Sequence, residues 1–149
     1  MECKDLVSRL LEEKGRDVFS VSPDTSVRTT AEIMAQHRIG AILVLRQEHV
    51  AGIFSERDLL TRVLLRGLDP ASTPVSEVMS TDMVYVTQET PICEAMAVMT
   101  ERRCRHLPVL EGGKLHGMIS IGDCTRWLSR DQDYTIHHLT HYIHNKYPG

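Results

Sequence analysis

The sequence has few aromatic side chains, no basic excess, no long apolar run and no closely spaced cysteine pair. Its 149 residues are 5% aromatic and 25% charged, with a formal net charge of −3. Because a basic footprint is missing, binding to nucleic acid is not predicted. No run approaches the roughly 20 apolar residues that span a bilayer, and the start lacks a signal-peptide core. These absences predict a soluble, cytoplasmic protein without membrane contact.

Cysteine spacing argues against a disulfide framework and against a zinc site. The four cysteines form neither a CxxC pair nor a ladder of metal-ligand spacings: Cys3, Cys93, Cys104 and Cys124. Reduced thiols are therefore expected. Three histidines near the C-terminus are spaced i, i+4 and i+7, which would suit a divalent metal on one helical face: His137, His141 and His144. A solvated polar face explains the same residues, no carboxylate partner is evident, and no metal is expected.

What the chain does contain is a duplication. Residues from Asp17 onward align without a gap on residues from Asp82 onward, at an offset of 65. Identical aligned pairs include Arg38 with Arg103, Gly52 with Gly117, Ser55 with Ser120 and Asp58 with Asp123. Two copies of this length predict a pseudo-twofold body with paired clefts where the copies meet.

Each copy has the same predicted order, β-α-β-β-α. In the first copy we predict strands over 17–21, 41–45 and 50–54, a helix from Val27 that Gly40 ends, and a second helix from Ser55. In the second copy we predict strands over 83–86, 107–110 and 115–119, and helices over about 91–103 and 120–128. This order indicates an α/β fold with helices packed on small sheets.

The predicted organisation has five parts. They are an N-terminal helix over 1–15, a first repeat over 16–66, a linker and short helix over 67–80, a second repeat over 81–130, and a C-terminal helix over 131–149. The N-terminal helix has its leucines at amphipathic spacing and should pack on the body. The C-terminal helix carries an apolar stripe that needs a partner, either this body or a second subunit: Ile136, Leu139 and Ile143.

The candidate chemistry lies where the last strand of each copy becomes a helix. Residues 52–58 and 117–123 share the pattern G-h-h-S-x-x-D, in which h is apolar. A serine that caps a helix places free N–H groups beside a phosphate oxygen, and a nearby carboxylate accepts both hydroxyls of a ribose. The alternative is a capping box, which stabilises a helix start without any ligand. Two copies, each after a glycine-led strand, favour a nucleotide site.

These features resemble a pair of cystathionine-β-synthase (CBS) domains, known as a Bateman module. The resemblance rests on the duplicated β-α-β-β-α plan, the two G-h-h-S-x-x-D turns and residues 105–109, Arg-His-Leu-Pro-Val. It extends over most of the chain, and small stand-alone CBS-pair proteins are the most similar class. It implies that the repeats face each other, that their clefts bind AMP, ADP, ATP, NAD(H) or S-adenosylmethionine, and that two pairs form a homodimer.

The resemblance also implies residue roles. Asp58 and Asp123 would hold ribose hydroxyls, with Ser55 and Ser120 contacting phosphate or ribose. Backbone in the first strand of each repeat would hold the adenine edge. The positions expected at the adenine edge are Val18, Thr81 and Val84. Those expected beside the second S-x-x-D turn are Ile121 and Gly122.

Basic residues are unequally divided between the repeats. Arg105 and His106 align with Gly40 and Ala41, and Arg57 aligns with Gly122. We therefore count Arg57, Arg105 and His106 as ligand-binding candidates and expect the two clefts to hold phosphates unequally. An ordinary surface arginine and a structural histidine are the alternatives for Arg105 and His106. Which basic residue belongs to which cleft depends on how the repeats face, which the sequence leaves open.

The predicted function is a non-catalytic regulatory module whose bound nucleotide alters an unidentified partner protein. The alternative is a protein-interaction module that acts through its dimer surface, with nucleotide binding secondary or absent. An enzyme is not predicted, because the sequence offers no nucleophile with a base, no metal cluster and no phosphate-transfer loop.

Overall fold

The two halves of the chain fold into similar sets of helices and strands, as the duplication predicts. The computed structural model describes residues 4–132. The predicted C-terminal helix, with its apolar stripe and its three histidines, lies outside the described residues apart from its first two positions.

Helices and strands alternate in the predicted order. The first half comprises α1 (Val7–Lys14), β1 (Ser20–Val21), α2 (Val27–His37), β2 (Ala41–Arg46), β3 (His49–Ser55) and α3, an α-helical turn over Glu56–Asp58 that continues as a π-helix over Leu59–Leu64. A 3-10 turn over Val75–Glu77 leads to α4 (Ile92–Arg102), β4 (His106–Glu111), β5 (Lys114–Ser120), α5 (Ile121–Leu128) and a 3-10 turn over Ser129–Gln132. None of the helices within residues 4–132 is long and apolar enough to cross a membrane.

The five strands form one mixed sheet in the order β1-β2-β3-β5-β4. In each half the two long strands pair antiparallel with the same register, so that Ala41 faces Ser55 and His106 faces Ser120. The halves join where His49 of β3 pairs with Lys114 of β5. Because the registers match, the two S-x-x-D turns start α3 and α5 from equivalent positions.

The first strand of each half is shorter than predicted. In the first half it covers only Ser20–Val21. In the second half the predicted strand over 83–86 is reduced to a bridge between Val86 and Val109, where Val86 donates to Pro108 O at 3.1 Å. A continued parallel ladder would need the N–H of residue 108 to donate to Val84 O, and proline has no N–H. The segment before Val86 therefore runs beside the sheet without joining it.

The core of each half includes side chains from the segment that precedes the other half in the chain. Val7, Leu10 and Leu11 of α1 are buried in the core of the second half. Val75 and Val78, which follow the first half, are buried in its core. The predicted packing of the N-terminal helix on the body is thus observed, and its site is the second half. This exchange places one inserted segment beside each S-x-x-D turn.

The second helix of the first half differs from the regular helix that was predicted. Its later part is π-helical, with Leu65 N donating to Leu60 O at 3.0 Å. Hydrogen bonds join residues four apart in an α-helix and five apart in a π-helix. Apolar residues spaced three and four apart fit both helix types, so the sequence pattern does not distinguish them. As a consequence Val63 is buried, whereas Leu60 and Leu64 are 50% and 67% exposed.

The expectation of reduced thiols is wrong at Cys93. Cys93 is disulfide-bonded, whereas Cys104 and Cys124 are free. The expectation rested on spacing along the chain, but a disulfide joins cysteines that are close in space. Short sequence spacing was therefore the wrong signal.

Candidate functional site

Both S-x-x-D turns are closed capping boxes. In the Ser55 turn (residues 55–58), Asp58 N donates to Ser55 Oγ at 3.1 Å and Ser55 N donates to Asp58 Oδ2 at 3.0 Å. In the Ser120 turn (residues 120–123), the matching hydrogen bonds between Ser120 and Asp123 measure 3.1 and 2.9 Å. Helix capping, the alternative left open by the sequence, is therefore one task of each aspartate. Any further task depends on the surroundings.

The Ser55 turn borders a cleft of about 920 Å³ between the two halves. One wall consists of residues 55–58 with Gly40, Ala41 and Ile53, and the other includes residues 82–84 and 102–106. We call this cavity the inter-repeat cleft. The residues that line this cleft show how the repeats face each other. The Ser55 turn of the first half lies opposite residues 82–84 of the second half, the segment predicted to hold the adenine edge.

Asp58 lies at the edge of the inter-repeat cleft with mainly neutral partners. Ser80 Oγ donates to Asp58 Oδ1 at 3.1 Å, and Arg62 Nε lies 3.5 Å from the same oxygen. Ser80 is held there by two backbone hydrogen bonds with Ile53, at 2.8 and 2.9 Å. The Asp58 side chain is 10% exposed. A neutral hydroxyl that can rotate to another acceptor thus occupies one side of this carboxylate.

Arginines outnumber carboxylates in the inter-repeat cleft. The four arginines are Arg57, Arg102, Arg103 and Arg105, and the three carboxylates are Glu56, Asp58 and Asp82. Sequence reasoning identified two of these arginines and missed Arg102 and Arg103. Arg103 ends α4 in a left-handed conformation with φ 55°, as Arg38 ends α2. The identity of Arg38 and Arg103 in the repeat alignment was the signal available for that position.

His106 is half-buried between the two turns. Burial is the main cause that lowers the pKa of its imidazole, and the charge of Lys14 lowers it further. Arg105 acts in the same direction, while Asp123 and Glu56 oppose the shift. The neutral ring is therefore favoured at neutral pH, and the positive charge of the cleft comes from its arginines.

The Ser120 turn has a different environment. Lys14 Nζ, at the end of α1, donates to Asp123 Oδ2 at 2.5 Å and to Met118 O at 2.7 Å. Arg126 Nη2 donates to Asp123 Oδ1 at 2.6 Å. Burial by itself raises the pKa of Asp123, but the hydrogen bonds from Lys14 and Ser120 outweigh it and hold the pKa below its ordinary value. Each oxygen of this carboxylate thus accepts from a cation.

Asp123 lines a second, smaller cavity of about 480 Å³. Its walls come from α1, α5 and the turn after α5, and they include Leu10, Glu13, Trp127 and Arg130. Glu13 forms an ion pair with Arg130, and Trp127 Nε1 donates to Asp5 Oδ2 at 2.9 Å. This cavity lies between α1 and α5 rather than between the repeats, so the two turns do not border equivalent spaces.

The structure brings together half of the predicted ligand-binding residues. The inter-repeat cleft is lined by Ser55, Arg57, Asp58, Val84, Arg105 and His106. Asp123 lines the second cavity. The predicted positions that line neither cavity are Val18, Thr81, Ser120, Ile121 and Gly122. Sequence reasoning also missed Ser80 and Lys14, because neither belongs to a conspicuous motif and both reach the turns from segments inserted from outside the half.

Comparison with known proteins gives the family. The sequence model of the CBS domain matches this chain twice, at residues 5–65 and 75–130. The mitochondrial CBS domain-containing protein CBSX3 of Arabidopsis thaliana is 32% identical over 150 residues, which cover 95% of this chain and 73% of the relative.

Solved structures agree in fold. A CBS-domain containing protein of Agrobacterium tumefaciens is 40% identical, with a TM-score of 0.76 over 82% of this chain and 98% of that one. A CBS domain protein of Pyrobaculum aerophilum, solved in complex with AMP, is 26% identical, with a TM-score of 0.70 over 80% of this chain and 89% of that one.

Proposed function

This chain belongs to the CBS domain family, and we propose that it is a non-catalytic regulatory module that binds a phosphorylated adenosyl nucleotide in the inter-repeat cleft. The observation that carries the proposal is the meeting of three groups around one cavity. These are the Ser55 turn, the backbone segment 82–84 and the arginines of residues 102–105. They match the ribose, the base and the phosphate of one ligand.

The size of the cleft suits such a ligand. Its volume of about 920 Å³ lies in the range of roughly 300–1,000 Å³ that is usual for small-molecule sites. The related Pyrobaculum aerophilum protein was solved with AMP. That complex supports an adenosyl ligand for this chain as a proposal.

Ribose recognition is assigned to Asp58. An ionised carboxylate accepts two hydroxyls, and the partner it would exchange is the neutral Ser80 hydroxyl at 3.1 Å. Ser80 Oγ can rotate to another acceptor, so the exchange does not leave a buried charge unpaired. Ser55, beside it, is proposed to contact ribose or phosphate.

Adenine recognition is assigned to the backbone near Val84. Pro108 has no N–H to donate to the Val84 carbonyl, so the ladder does not use that acceptor. Val84 lines the inter-repeat cleft, together with Met83. We assign the Val84 carbonyl to the amino group of adenine and the Met83 side chain to contact with the ring.

Phosphate recognition is assigned to the arginines. Four guanidinium groups around one cleft favour an anionic ligand, because each can hold phosphate oxygens bidentately. The sulfonium of S-adenosylmethionine is a cation, so this charge disfavours it. AMP, ADP, ATP and NAD(H) are therefore the proposed ligands, and no metal is needed to hold them.

Regulation follows from the position of the cleft. A ligand that contacts both halves binds better to one arrangement of the halves than to others, and this difference shifts their equilibrium. The proposed recipient of the signal is an unidentified protein. Cys104 lines the cleft, and its thiol is a potential nucleophile. Burial, however, raises the pKa of this thiol and disfavours the reactive thiolate. This supports a role in sensing rather than in catalysis.

An interaction surface on α3 supports the second candidate function, in which dimerisation matters more than nucleotide. Leu60, Leu64 and Leu65 are 50%, 67% and 73% exposed. Leu60 and Leu65 are one π-helical turn apart, which forms an apolar patch beside Leu64. We propose a second copy of this chain as the occupant. Light scattering of the wild type and of Leu64→Glu tests this, and a wild-type monomer overturns it.

Cellular location is a separate proposal. We propose a cytoplasmic location, whereas the similar Arabidopsis protein is named as mitochondrial. Cell fractionation with an antibody against this chain distinguishes the two, and recovery in an organelle fraction would refute the cytoplasmic assignment.

The testing experiment is thermal unfolding of nucleotide-stripped protein with AMP, ADP, ATP, NAD, NADH, adenosine and S-adenosylmethionine. A ligand at 100 times its dissociation constant adds about 2.7 kcal/mol to the unfolding free energy. We expect phosphorylated nucleotides to raise the midpoint by more than adenosine does. If no adenosyl compound raises it, the nucleotide-binding proposal fails and the dimer surface becomes the leading candidate.

A further inference from the structure

The end of α1 is fixed on the second half by several independent contacts. Leu11 is fully buried against Gly117, where an added Cβ would lie 2.8 Å from Leu11 Cδ2. Backbone hydrogen bonds join Val7 N to Thr90 O at 2.8 Å and Ser8 N to Gln88 O at 2.9 Å. Lys14, the last residue of α1, is therefore delivered to the Ser120 turn by a rigid element.

Lys14 is bound at two points there. Its ammonium group donates to Asp123 Oδ2 at 2.5 Å and to the Met118 carbonyl at 2.7 Å. The Lys14 side chain is 38% exposed, compared with 74% for Arg126, the other cation on Asp123. Arg126 extends from the same helix as Asp123 and can swing into solvent, whereas Lys14 is held by both of its acceptors.

The equivalent place beside Asp58 holds no lysine. At the offset of 65, Lys14 aligns with Met79, and Gly15 aligns with Ser80. Ser80 offers Asp58 a neutral hydroxyl at 3.1 Å, and the Asp58 and Asp123 side chains are each 10% exposed. The two carboxylates therefore differ in charge compensation rather than in burial.

We infer that Lys14 closes the Ser120 turn to ribose hydroxyls and so limits this chain to one adenosyl nucleotide, held in the inter-repeat cleft. The inference rests on the proposed function, because it takes the Ser55 turn as the working example of a ribose site. Displacing Lys14 would separate a charged hydrogen bond in a half-buried place, whereas displacing Ser80 separates a neutral one. Lys14 is thus a specificity-determining residue that selects one of two similar turns.

The test is the number of AMP molecules bound per chain, measured by isothermal titration calorimetry. The variants are Lys14→Met, which keeps the aliphatic stem and removes the charge, and Lys114→Met, a matched control on the β4–β5 hairpin outside both cavities. We expect one AMP for the wild type and for Lys114→Met, and two for Lys14→Met. Adding Asp123→Asn to Lys14→Met should return the number to one.

The outcomes separate this inference from the proposed function. Two AMP molecules on the wild type, or one on both the wild type and Lys14→Met, would overturn the inference and leave the proposed function standing. No AMP on the wild type but one on Lys14→Met would support closure by Lys14 and overturn the inter-repeat cleft as the site. No AMP on either protein would overturn the inference, and the proposed function would then be decided by the thermal-unfolding comparison with the other adenosyl nucleotides. Thermal unfolding of each variant confirms that the compared proteins are folded.

Discussion

The Ser55 turn and the Ser120 turn share a motif, a register and a capping box, yet they present different carboxylates. Asp58 has a serine hydroxyl at 3.1 Å and an arginine at 3.5 Å. Asp123 has a lysine at 2.5 Å and an arginine at 2.6 Å. The local sequence builds the turn, and the segment inserted from the neighbouring half decides whether the carboxylate is available. A duplicated motif therefore does not imply a duplicated site.

The largest expected effect comes from removing the packing that fixes α1. Leu11 is fully buried, so Leu11→Ala should lower the free energy of unfolding by about 2–5 kcal/mol and loosen α1 from the Ser120 turn. Urea unfolding measures the loss. Fluorescence of Trp127, the only tryptophan of the chain, reports the docking of α1, because its indole donates to Asp5.

Glu12→Ala is the matched control for that prediction. Glu12 lies on the exposed side of the same helix, so its truncation should change stability by no more than about 0.5 kcal/mol. Equal losses for the two variants would show that α1 is not packed through Leu11. The packing of α1 would then not explain why Asp123 has a lysine partner and Asp58 has none.

A second prediction concerns affinity. Asp58→Asn keeps the shape of the side chain but removes its charge, and it should weaken AMP binding by about 1.5–3 kcal/mol, or roughly 10- to 150-fold. Asp123→Asn should change the dissociation constant by only about twofold, since Asp123 does not line the inter-repeat cleft. Calorimetric titration of both variants gives the comparison. Equal weakening by both would contradict the assignment of the ribose to Asp58.

A third prediction compares the glycines that precede the turns. An added Cβ at Gly52 would meet Met79 Sδ at 2.5 Å and the Ser80 carbonyl at 2.9 Å, whereas at Gly117 its nearest contacts would be with the Leu11 side chain, first at Cδ2. A backbone carbonyl yields less readily than the end of a leucine. Gly52→Ala should therefore destabilise by about 1–3 kcal/mol, as overpacking does, and Gly117→Ala by less.

Urea unfolding of the two glycine variants measures this difference. A larger loss for Gly117→Ala would mean that α1 covers its turn more rigidly than the linker covers the other. That result would contradict the expectation that the Ser80 carbonyl yields less readily than the end of Leu11.

The repeat, the order of helices and strands along the chain and the capping residues were predictable, because each follows from local spacing or from identity between aligned positions. The π-helix of α3 was not, since apolar spacing fits both helix types. The shortening of the first strand in the second half depends on Pro108, whose missing N–H matters only once its partner, Val84, is known. Lys14 was unpredictable for a related reason, because it aligns with Met79 and acquires its role through the packing of α1.

The candidate site divides in the same way. Ser55 and Asp58 could be found from their motif, and Arg105 from the asymmetry of the repeats. Their position around one cleft with residues 82–84 could not be predicted without knowing how the two halves face each other, which is a property of the whole sheet. Sequence alone therefore predicted parts of a candidate site and unequal clefts, but not the contact of Lys14 with Asp123 that distinguishes the two turns.

Proton uptake by His106 is the smallest expected effect, and it reports on Lys14 directly. Burial, and then Lys14, hold the pKa of His106 below its ordinary value of 6.5. Because its pKa is the higher one, the unfolded chain takes up this proton at a higher pH than the folded protein does. The contribution of the neutral His106 ring to the free energy of unfolding is therefore complete above pH 6.5 and is lost as pH falls through the folded pKa. Lys14→Met should raise the pKa of His106 and narrow that window, as NMR titration would show. An unchanged pKa would mean that the ammonium of Lys14 does not lie beside the Ser120 turn, and the main difference between the two turns would be removed.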